Sequence, residues 1–317
     1  MTYIIIFDSQ LTRYIFNDLE DVKVLFTPVF NKSSLIQKFV KFLYYKISDK
    51  FYCKGIFPRN VRNVLDECGS NDTIIYVGED VYTCHVLASA YNSIKHKIIY
   101  FWNPTKDLGK QKISRFVKHQ SGGSKPEKII NYLKYNGLKI ATFDKNDAES
   151  YDLSYFPQFY RAYPVNNTIS IDYDFFFLGR DKGRKETLTR LQAKLNEIGT
   201  TRFEIVNDSQ LKDQIEYYDY IEILRHTRAI CEINQPGQKG LTIRAMEALF
   251  FKKKLITNNK DIINYDIYDS NNILLYDDNT SATDIMEFMK LPYKEISHTV
   301  SYKYEIHQWI NKISNIG

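Results

Sequence analysis

The sequence predicts an α/β protein of two domains, each built on a parallel sheet. The chain has 317 residues, of which 44% are hydrophobic and 26% are charged, and domains most often contain about 100–150 residues. Short apolar runs alternate with segments of helical periodicity, which is the pattern of an α/β fold. An irregular aromatic stretch at 151–168, with Pro157 and Pro164, separates two such series. We therefore expect domains at 1–168 and 169–317.

The first series begins with Tyr3–Phe7, an apolar run that ends at Asp8 and is typical of a strand buried on both faces of a parallel sheet. Similar runs predict strands at Val22–Phe26, Thr73–Val77, Lys97–Trp102 and Leu138–Phe143. Helical patterns lie at Ser33–Ile47, Thr83–Ser93 and Lys125–Tyr135. We interpret the first of these segments, extended to Phe51, as an amphipathic helix that packs on the core, with docking at a membrane interface as the alternative.

The second series begins with a strand at Asp174–Leu178 that Gly179 ends. Further strands are predicted at Arg202–Val206, Arg228–Ile233, Lys254–Thr257 and Asn272–Tyr276. Helices are predicted at Arg184–Ile198, Tyr217–Arg225 and Leu241–Phe251. A final helix, residues 302–316, is expected to pack back across the domains.

Composition excludes several classes of protein. Forty-three basic and 38 acidic residues give a net charge of +5, and the mean hydropathy of −0.40 argues against an integral membrane protein. No apolar run approaches the roughly 20 residues of a membrane helix, and the chain opens directly on a strand, so we expect a cytoplasmic protein without a signal peptide. The four cysteines form no CxxC pair, which supports neither a disulfide framework nor a zinc site.

Positive charge is concentrated between residues 106 and 139. Two residues there, Asp107 and Glu127, are acidic. Nine are basic, namely Lys106, Lys110, Lys112, Arg115, Lys118, Lys125, Lys128, Lys134 and Lys139. A solvated helical surface would explain this segment, and so would a patch that faces anionic lipid, a phosphorylated acceptor or nucleic acid. Because the charge is confined to one segment without a recognised nucleic-acid motif, we expect no nucleic-acid partner.

A glycine loop follows the strand predicted at Asp174–Leu178. Its sequence, Gly179-Arg180-Asp181-Lys182-Gly183-Arg184, leads directly into a predicted helix. Glycines let the backbone approach a bound group, a helix start offers N–H donors, and the basic side chains supply positive charge, which together suit a diphosphate. The loop has neither the P-loop nor the dinucleotide-binding pattern, which disfavours both of those chemistries. A polar turn with a glycine cap is the alternative.

A second glycine loop occupies Asn234–Gly240 and also leads from a strand into a helix. Gly240 and the N–H groups of Leu241 and Thr242 can cradle phosphate oxygens at the positive end of that helix. Arg244 lies one turn further on, near enough to reach the same anion, and Glu247 shares its face. An ordinary surface helix is the alternative, but two glycine loops at strand ends of one sheet favour a binding site.

These segments resemble bacterial glycosyltransferases of the GT-B type, and most of all the CgeB-like and family 4-like enzymes of lipopolysaccharide, capsule and exopolysaccharide synthesis. The matching stretches are Thr142–Tyr160, Asp174–Arg184 and Gln235–Asn259, with a weaker match at Phe101–Pro104. The resemblance implies two Rossmann-like domains that face each other across a cleft. It places a nucleotide-sugar donor on the C-terminal domain and an acceptor on the N-terminal domain.

The resemblance also implies roles for single residues. Glu247 becomes the acid that binds the ribose hydroxyls of the donor. The other residues implied to hold the nucleotide sugar are Gly179, Arg180, Lys182, Gln238, Lys239, Gly240, Leu241, Thr242 and Arg244. Many retaining family 4-like enzymes carry a glutamate eight residues before the ribose-binding one, and this chain has Lys239 there. Retention and inversion of the anomeric configuration therefore both stay open.

The expected reaction is attack of an acceptor hydroxyl on the anomeric carbon with departure of a nucleoside diphosphate. Helix termini and basic side chains can stabilise this leaving group, so we expect neither a metal nor a cofactor beyond the donor substrate. An inverting enzyme also needs a general base. Glu79 and Asp80, just after the strand at Thr73–Val77, are the catalytic candidates, and Asp8 is a further candidate of lower rank. The alternative role of each acid is that of a helix N-cap.

The sequence thus predicts a glycosyltransferase that moves a sugar from a nucleoside-diphosphate sugar to a hydroxyl of a growing lipopolysaccharide, capsule or exopolysaccharide. The expected partners are a nucleotide sugar and a glycan or lipid-linked glycan acceptor. A peripheral contact with the anionic inner face of the plasma membrane would fit the basic segment. The alternatives are a catalytically inactive sugar-nucleotide or glycan-binding protein of the same fold and, more weakly supported, a nucleic-acid binder.

Overall fold

The structure is a computed structural model that describes residues 1–28, 35, 39, 42–43, 54–111, 118–119, 121–164, 169–206, 215–235, 238 and 240–316. The chain divides into two compact units. Unit 1 comprises Met1–Phe156 and Ile310–Gly317, and unit 2 comprises Pro157–Trp309. The division thus falls before the predicted boundary at residue 168. The stretch after Phe156 belongs to unit 2 because the backbone N–H of Tyr160 donates to the carbonyl of Tyr304 at 2.8 Å, and that of Ile306 to the carbonyl of Tyr160 at 2.9 Å.

Unit 1 contains a six-stranded parallel sheet with the order β2-β1-β3-β4-β5-β6. Its strands are β1 (Thr2–Phe7), β2 (Val22–Thr27), β3 (Thr73–Val77), β4 (His96–Phe101), β5 (Lys139–Thr142) and β6 (Ser154–Tyr155). Its helices are α1 (Gln10–Phe16), α2 (Arg59–Glu67), α3 (Val81–Ala90), α4 (Pro126–Tyr135) and α5 (Lys145–Tyr151), with 3-10 turns at Lys54–Ile56 and Thr105–Lys110. Consecutive residues Ile4, Ile5 and Ile6 are fully buried, so both faces of the sheet are covered, as the continuous apolar runs predict.

Unit 2 contains a five-stranded parallel sheet with the order β11-β10-β9-β7-β8. Its strands are β7 (Tyr173–Arg180), β8 (Thr201–Val206), β9 (Thr227–Glu232), β10 (Lys254–Thr257) and β11 (Ile273–Leu275). Its helices are α6 (Lys185–Asn196), α7 (Tyr217–Arg225), α8 (Ile243–Phe250), α9 (Ala282–Lys290), α10 (His298–Ser301) and α11 (Ile306–Ile313, which runs on into unit 1), with 3-10 turns at Lys260–Asn264 and Tyr302–Tyr304. The α/β prediction with two parallel sheets is confirmed.

Two predicted helices differ from the structure. The helix expected at 302–316 is interrupted, because Glu305 forms a parallel bridge with Tyr160 and α11 begins only after it. Most of the helix expected at Ser33–Ile47 lies outside the described residues. Leu35 and Phe39 belong to the apolar face that the helical pattern predicts for this segment, and they are helical but 84% and 60% exposed. The interpretation as a helix packed on the core is therefore wrong for these two residues.

The described cysteines, Cys68, Cys84 and Cys231, are buried free thiols. Among the described residues, no helix combines the length and the apolar character that a bilayer span requires.

Candidate functional site

The site lies where the strand order of unit 2 reverses. Strand β8 pairs with one edge of β7, and β9 pairs with the other. In open α/β sheets, ligands bind beyond the carboxyl ends of the strands at this reversal. The two ends are Gly179–Arg180 on β7 and Glu232 on β9. Both predicted glycine loops therefore start at the position where the sheet topology favours a ligand.

Two arginines, which we call the arginine pair, converge on Gly179. A Cβ atom added to Gly179 would lie 2.5 Å from Nη2 of Arg244 and 3.3 Å from Nη2 of Arg184, so the glycine leaves the space that the guanidinium groups occupy. Both groups lie over the ring of Phe177, with Cζ 5.1 Å (Arg244) and 5.4 Å (Arg184) from its centroid. Their hydrogen bonds go to backbone carbonyls: Arg244 donates to Leu178, and Arg184 donates to Ile233.

The arginine pair is electrostatically strained. Burial, together with the charge of Arg244, lowers the pKa of Arg184 to about 10, although Glu232 and Asp181 favour the charged form. Arg184 is only 9% exposed, so water does little to screen the repulsion between the two cations. An anion bound beside them would relieve it, and a guanidinium fork matches the oxygens of a phosphate.

Glu232 holds the strand ends and the start of α8 together. Its carboxylate is 1% exposed and accepts hydrogen bonds from the hydroxyls of Thr242 and Thr257, the latter at 2.6 Å. Glu232 and its two partners belong to three different elements, namely β9, the N-cap of α8 and β10. Sequence reasoning missed Glu232, although an acid within the apolar run 229–233 is the signal that could have drawn attention to it.

The backbone N–H groups at the starts of α6 and α8 are predicted to bind phosphate, but side chains of the protein accept hydrogen bonds from several of them. The Thr242 hydroxyl accepts hydrogen bonds from the N–H groups of Arg244 and Ala245 at 3.1 and 3.4 Å. At the start of α6, Oδ1 of Asp181 accepts from the N–H groups of Arg184 and Lys185 at 3.0 and 2.7 Å. Side chains thus satisfy several of the helix-terminal donors, so most of the positive charge at this edge comes from the guanidinium groups.

Asn234 has a side-chain donor without a hydrogen-bond partner among the described residues. Its side chain follows β9 and is 7% exposed, and its backbone N–H donates to Oδ1 of Asn258 at 2.7 Å. The side-chain Nδ2 has no hydrogen-bond partner among the described residues. Because buried amides are nearly always hydrogen-bonded, this Nδ2 is a candidate donor to a ligand oxygen.

Glu247 is enclosed by tyrosines. Its carboxylate is 1% exposed and accepts hydrogen bonds from the hydroxyls of Tyr217 at 2.7 Å and Tyr220 at 2.5 Å. The Tyr217 hydroxyl also lies 2.5 Å from that of Tyr160. Burial raises the pKa of Glu247 to about 7, against the two tyrosine hydroxyls and Arg244, which favour the charged form. Binding of ribose hydroxyls by Glu247 stays a prediction, and it requires a ligand to reach a carboxylate whose two oxygens already have partners.

The remaining predicted donor-site residues lie on the two loops. Arg180 is exposed at the end of β7, and Lys182 is exposed in a left-handed turn with Gly183, at φ values of 47° and 77°. Gln238 is half-buried, whereas Lys239 lies outside the described residues. Gly240 and Leu241 are buried, and the Gly240 carbonyl accepts a hydrogen bond from Nδ2 of Asn259 at 3.4 Å.

The predicted catalytic residues belong to unit 1 and follow β3. Asp80 is the N-cap of α3, and its Oδ2 accepts from the N–H and the hydroxyl of Thr83, both at 2.8 Å. Oε1 of Glu79 accepts from Nδ2 of Asn103 at 2.7 Å, and Glu79 is half-buried. Asp8 forms a bidentate ion pair with Arg13 at 2.6 and 2.9 Å. Asp80 therefore has the capping role that the sequence left open, and Glu79 suits a general base better.

The basic segment is partly structural. Lys134 and Lys139 donate to backbone carbonyls, at 2.6 Å to Asp152 and 2.8 Å to Ile316, and Lys128 donates to the carbonyl of Gly122. Lys118 and Lys125 are exposed. Lys112, Arg115 and the side chain of Lys110 lie outside the described residues.

The described residues contain no cluster of three His, Cys, Asp or Glu side chains arranged to hold a metal ion.

The fold is that of the GT-B glycosyltransferases. No protein-family model matches the chain, and no curated protein matches it. Among solved structures, trehalose-6-phosphate synthase OtsA is similar with a TM-score of 0.57 and 10% identity, over 99% of both chains. Sucrose-phosphate synthase from Thermosynechococcus elongatus is similar with a TM-score of 0.53 and 9% identity, over 100% of this chain and 98% of that one. HepE from Anabaena, in complex with UDP and glucose, is similar with a TM-score of 0.50 and 9% identity, over 98% of both chains.

Proposed function

We propose that the protein is a glycosyltransferase that takes a sugar from a nucleoside-diphosphate sugar. The observation that carries this proposal is the arginine pair, which converges on Gly179 at the reversal of the unit 2 sheet. Two adjacent cations, one of them 9% exposed, are expected to bind a diphosphate, whose charge also grows as the glycosidic bond breaks. Nδ2 of Asn234, which has no hydrogen-bond partner in the part of the chain that the structure describes, adds a neutral donor at the same strand ends.

The shared fold supports the same class of substrate. The solved HepE structure contains UDP and glucose, and the other two similar structures are named as synthases of sugar phosphates. The sequence resemblance to CgeB-like and family 4-like enzymes points further, to transfer onto a growing lipopolysaccharide, capsule or exopolysaccharide. We propose such a glycan, free or lipid-linked, as the acceptor.

In the proposed reaction, Arg184 and Arg244 bind the diphosphate and stabilise its developing charge. Lys182 and Arg180, on the exposed loop, contact the same phosphates. In an inverting reaction, Glu79 accepts the proton of the acceptor hydroxyl as that oxygen attacks the anomeric carbon and the bond to the diphosphate breaks.

Thermal unfolding with a panel of nucleotides tests donor binding. We expect one of the uridine, guanosine, thymidine or cytidine diphosphates, and its sugar, to raise the melting temperature. A ligand at 100 times its Kd adds about 2.7 kcal/mol of stability. Release of that nucleoside diphosphate from its sugar in the presence of a hydroxyl acceptor then establishes transfer. No stabilisation by any member of the panel would overturn the proposal.

Metal independence is part of the proposal, because the arginine pair supplies the charge that a divalent cation would supply. Turnover should persist in excess EDTA. Loss of turnover in EDTA, with recovery on addition of Mg²⁺ or Mn²⁺, would contradict it.

A second candidate is a catalytically inactive sugar-nucleotide or glycan-binding protein. The enclosure of Glu247 by Tyr217 and Tyr220 favours it, because an acid with two hydroxyl partners is poorly placed to bind ribose. Nucleotide binding without turnover, for any acceptor tested, would select this candidate.

We also propose that the protein works in the cytoplasm, in peripheral contact with an anionic membrane. Leu35, Phe39 and Phe42 lie at i, i+4 and i+7 in helical conformation and are 84%, 60% and 54% exposed. Side chains at this spacing share one helix face. Lysines flank them at positions 38 and 41, which is the composition of an interfacial helix.

A further inference from the structure

Unit 2 contains a cavity of about 260 Å³ whose lining includes none of the residues of the proposed diphosphate site. It lies at the carboxyl end of α8, where Phe250 and Lys252 form part of its wall. The arginine pair is at the other end of this eight-residue helix, and a helix rises about 1.5 Å per residue. The cavity, which we call the aromatic pocket, is therefore separate from the proposed diphosphate site.

The wall of the aromatic pocket includes phenylalanine and tyrosine rings. Four side chains contribute them: Tyr163, Phe250, Tyr293 and Tyr302. Tyr302 is 41% exposed and stacks on His298, with ring centroids 5.6 Å apart. Rings that combine an apolar face with a polar edge are suited to ligands that do the same.

The polar groups of the wall nearly balance in charge. The Lys252 ammonium forms an ion pair with Glu295 at 3.0 Å. Glu305 is 8% exposed, and its Oε2 accepts from the backbone N–H of His307 at 2.7 Å, with Nδ1 of His307 2.9 Å away. The wall thus offers both donors and acceptors without a large net charge.

The wall is held in place by contacts outside the pocket. On one side, Tyr160 bridges to the backbone on both sides of Glu305. On the other side, the backbone of Lys294 exchanges two hydrogen bonds with the side chain of Asn272, at 2.7 and 2.8 Å. A pocket fixed in this way loses little conformational freedom when a ligand binds.

We propose that the aromatic pocket binds a neutral sugar unit of a glycan. A sugar presents apolar C–H faces to aromatic rings, and each hydroxyl both donates and accepts hydrogen bonds, which matches the mixed wall. Glu295 and Glu305 would repel a strongly anionic ligand, and Lys252 would repel a cationic one. This proposal does not depend on nucleotide binding or on turnover.

Titration of the full-length protein by NMR or calorimetry, with free neutral sugars as probes, tests the proposal. Glucose, N-acetylglucosamine, cellobiose and maltose are suitable probes, and choline tests the competing idea of an aromatic cage for a cation. Tyr302→Ala removes an exposed ring of the wall, and Tyr135→Ala, at a 91% exposed position of unit 1, is the matched control.

We expect at least one sugar to bind the parent protein, and Tyr302→Ala to weaken it about three- to tenfold, as loss of one aromatic contact implies. Tyr135→Ala should bind the sugar like the parent, because Tyr135 does not line the pocket. Binding of choline but no sugar, equal sugar binding by Tyr302→Ala and the parent, or no binding of any probe would overturn the proposal. A protein that fails to bind nucleotides but binds sugar through Tyr302 would refute the proposed function and leave the aromatic pocket standing.

Discussion

At the scale of single residues, Arg244 should control nucleotide affinity. Arg244→Gln removes one of the two cations at Gly179 while keeping a polar side chain. Loss of a charge-assisted hydrogen bond costs about 1.5–3 kcal/mol, so the Kd for the preferred nucleoside diphosphate should rise about tenfold or more. Calorimetric titration measures this change.

Arg190→Gln is the matched control for that variant. Arg190 lies on α6 in the same unit, is 43% exposed at its side chain and pairs with Glu186 at 2.6 Å. Exposed pairs of this kind contribute little, so its nucleotide affinity should equal that of the parent. Equal affinities for Arg244→Gln and the parent would remove the main support for the diphosphate site.

Glu247 should make stability depend on pH. Burial raises its pKa from the ordinary 4.5 to about 7, so between these values the folded protein binds a proton that the unfolded chain does not. The stability that this proton gives is complete below about pH 4.5 and is lost as the pH rises through 7. The total loss is about 3 kcal/mol.

Glu247→Gln isolates this effect, because glutamine does not titrate. Urea unfolding at pH 5 and pH 8 should show that the parent loses more stability over this interval than the variant does. If both proteins have the same pH dependence, Glu247 is not a buried acid of raised pKa. The nucleotide affinity of the same variant tests its predicted ribose contact.

The difference between the predicted and observed Glu247 shows what a sequence leaves out at this scale. Its position on α8, on the same face as Arg244, follows from helical periodicity. Its enclosure follows from the docking of α7, whose Tyr217 and Tyr220 come 30 and 27 residues earlier in the chain. No local pattern encodes such a contact.

At the scale of secondary-structure elements, Glu232 ties β9 to β10 and to the start of α8. Thr257→Val removes one of its two hydroxyl partners while keeping the shape of the side chain. Because the carboxylate is 1% exposed, an unmet hydrogen bond there should lower the free energy of unfolding by about 2–4 kcal/mol. Chemical denaturation measures the loss.

Thr189→Val, at an exposed position on α6, is the control and should change stability by less than about 0.5 kcal/mol. If Thr257→Val behaves like Thr189→Val, the link through Glu232 contributes nothing to stability.

The strands were the most predictable elements. Every predicted strand forms, with ends shifted by at most two residues, because a strand buried on both faces needs an uninterrupted apolar run. The two-residue strand Ser154–Tyr155 has no such run and was not predicted. The interruption of the last predicted helix at Glu305 is not predictable either, because the pairing of Glu305 with Tyr160 joins residues that are far apart in the sequence.

The exposed face at Leu35, Phe39 and Phe42 should determine membrane binding. Replacing all three by serine removes apolar side chains that are each worth about 1.5–3 kcal/mol on full burial. Sedimentation with anionic liposomes should therefore show strongly reduced binding of the triple variant at every salt concentration.

The double variant Lys118→Gln and Lys125→Gln separates charge from apolar contact. It should lower liposome binding only at low salt, because such attraction fades beyond a Debye length of about 8 Å at physiological ionic strength. Binding of the triple serine variant at the level of the parent would show that these three side chains do not contact the membrane.

At the scale of the whole molecule, α11 contributes buried residues to both units. Ile306 and Ile313 are both fully buried, but Ile306 belongs to unit 2 and Ile313 to unit 1. Ile313→Ala should therefore destabilise unit 1 by about 2–5 kcal/mol, and Ile306→Ala should destabilise unit 2 by a similar amount. Hydrogen exchange, measured in β5 for unit 1 and in β10 for unit 2, distinguishes the two effects. Equal loss of protection in both strands for both variants would mean that the units do not unfold separately.

The return of the chain to unit 1 at Ile310 has a consequence for biosynthesis. At a translation rate of about 5–20 residues per second, the ribosome needs about 8–30 s to make Pro157–Trp309, and only then does the last part of unit 1 emerge. During this time, the nascent first unit lacks Ile313, which is fully buried in the finished protein, and the carbonyl of Ile316 that Lys139 binds. The first half of the chain is therefore exposed to proteases and chaperones until the second half has been translated.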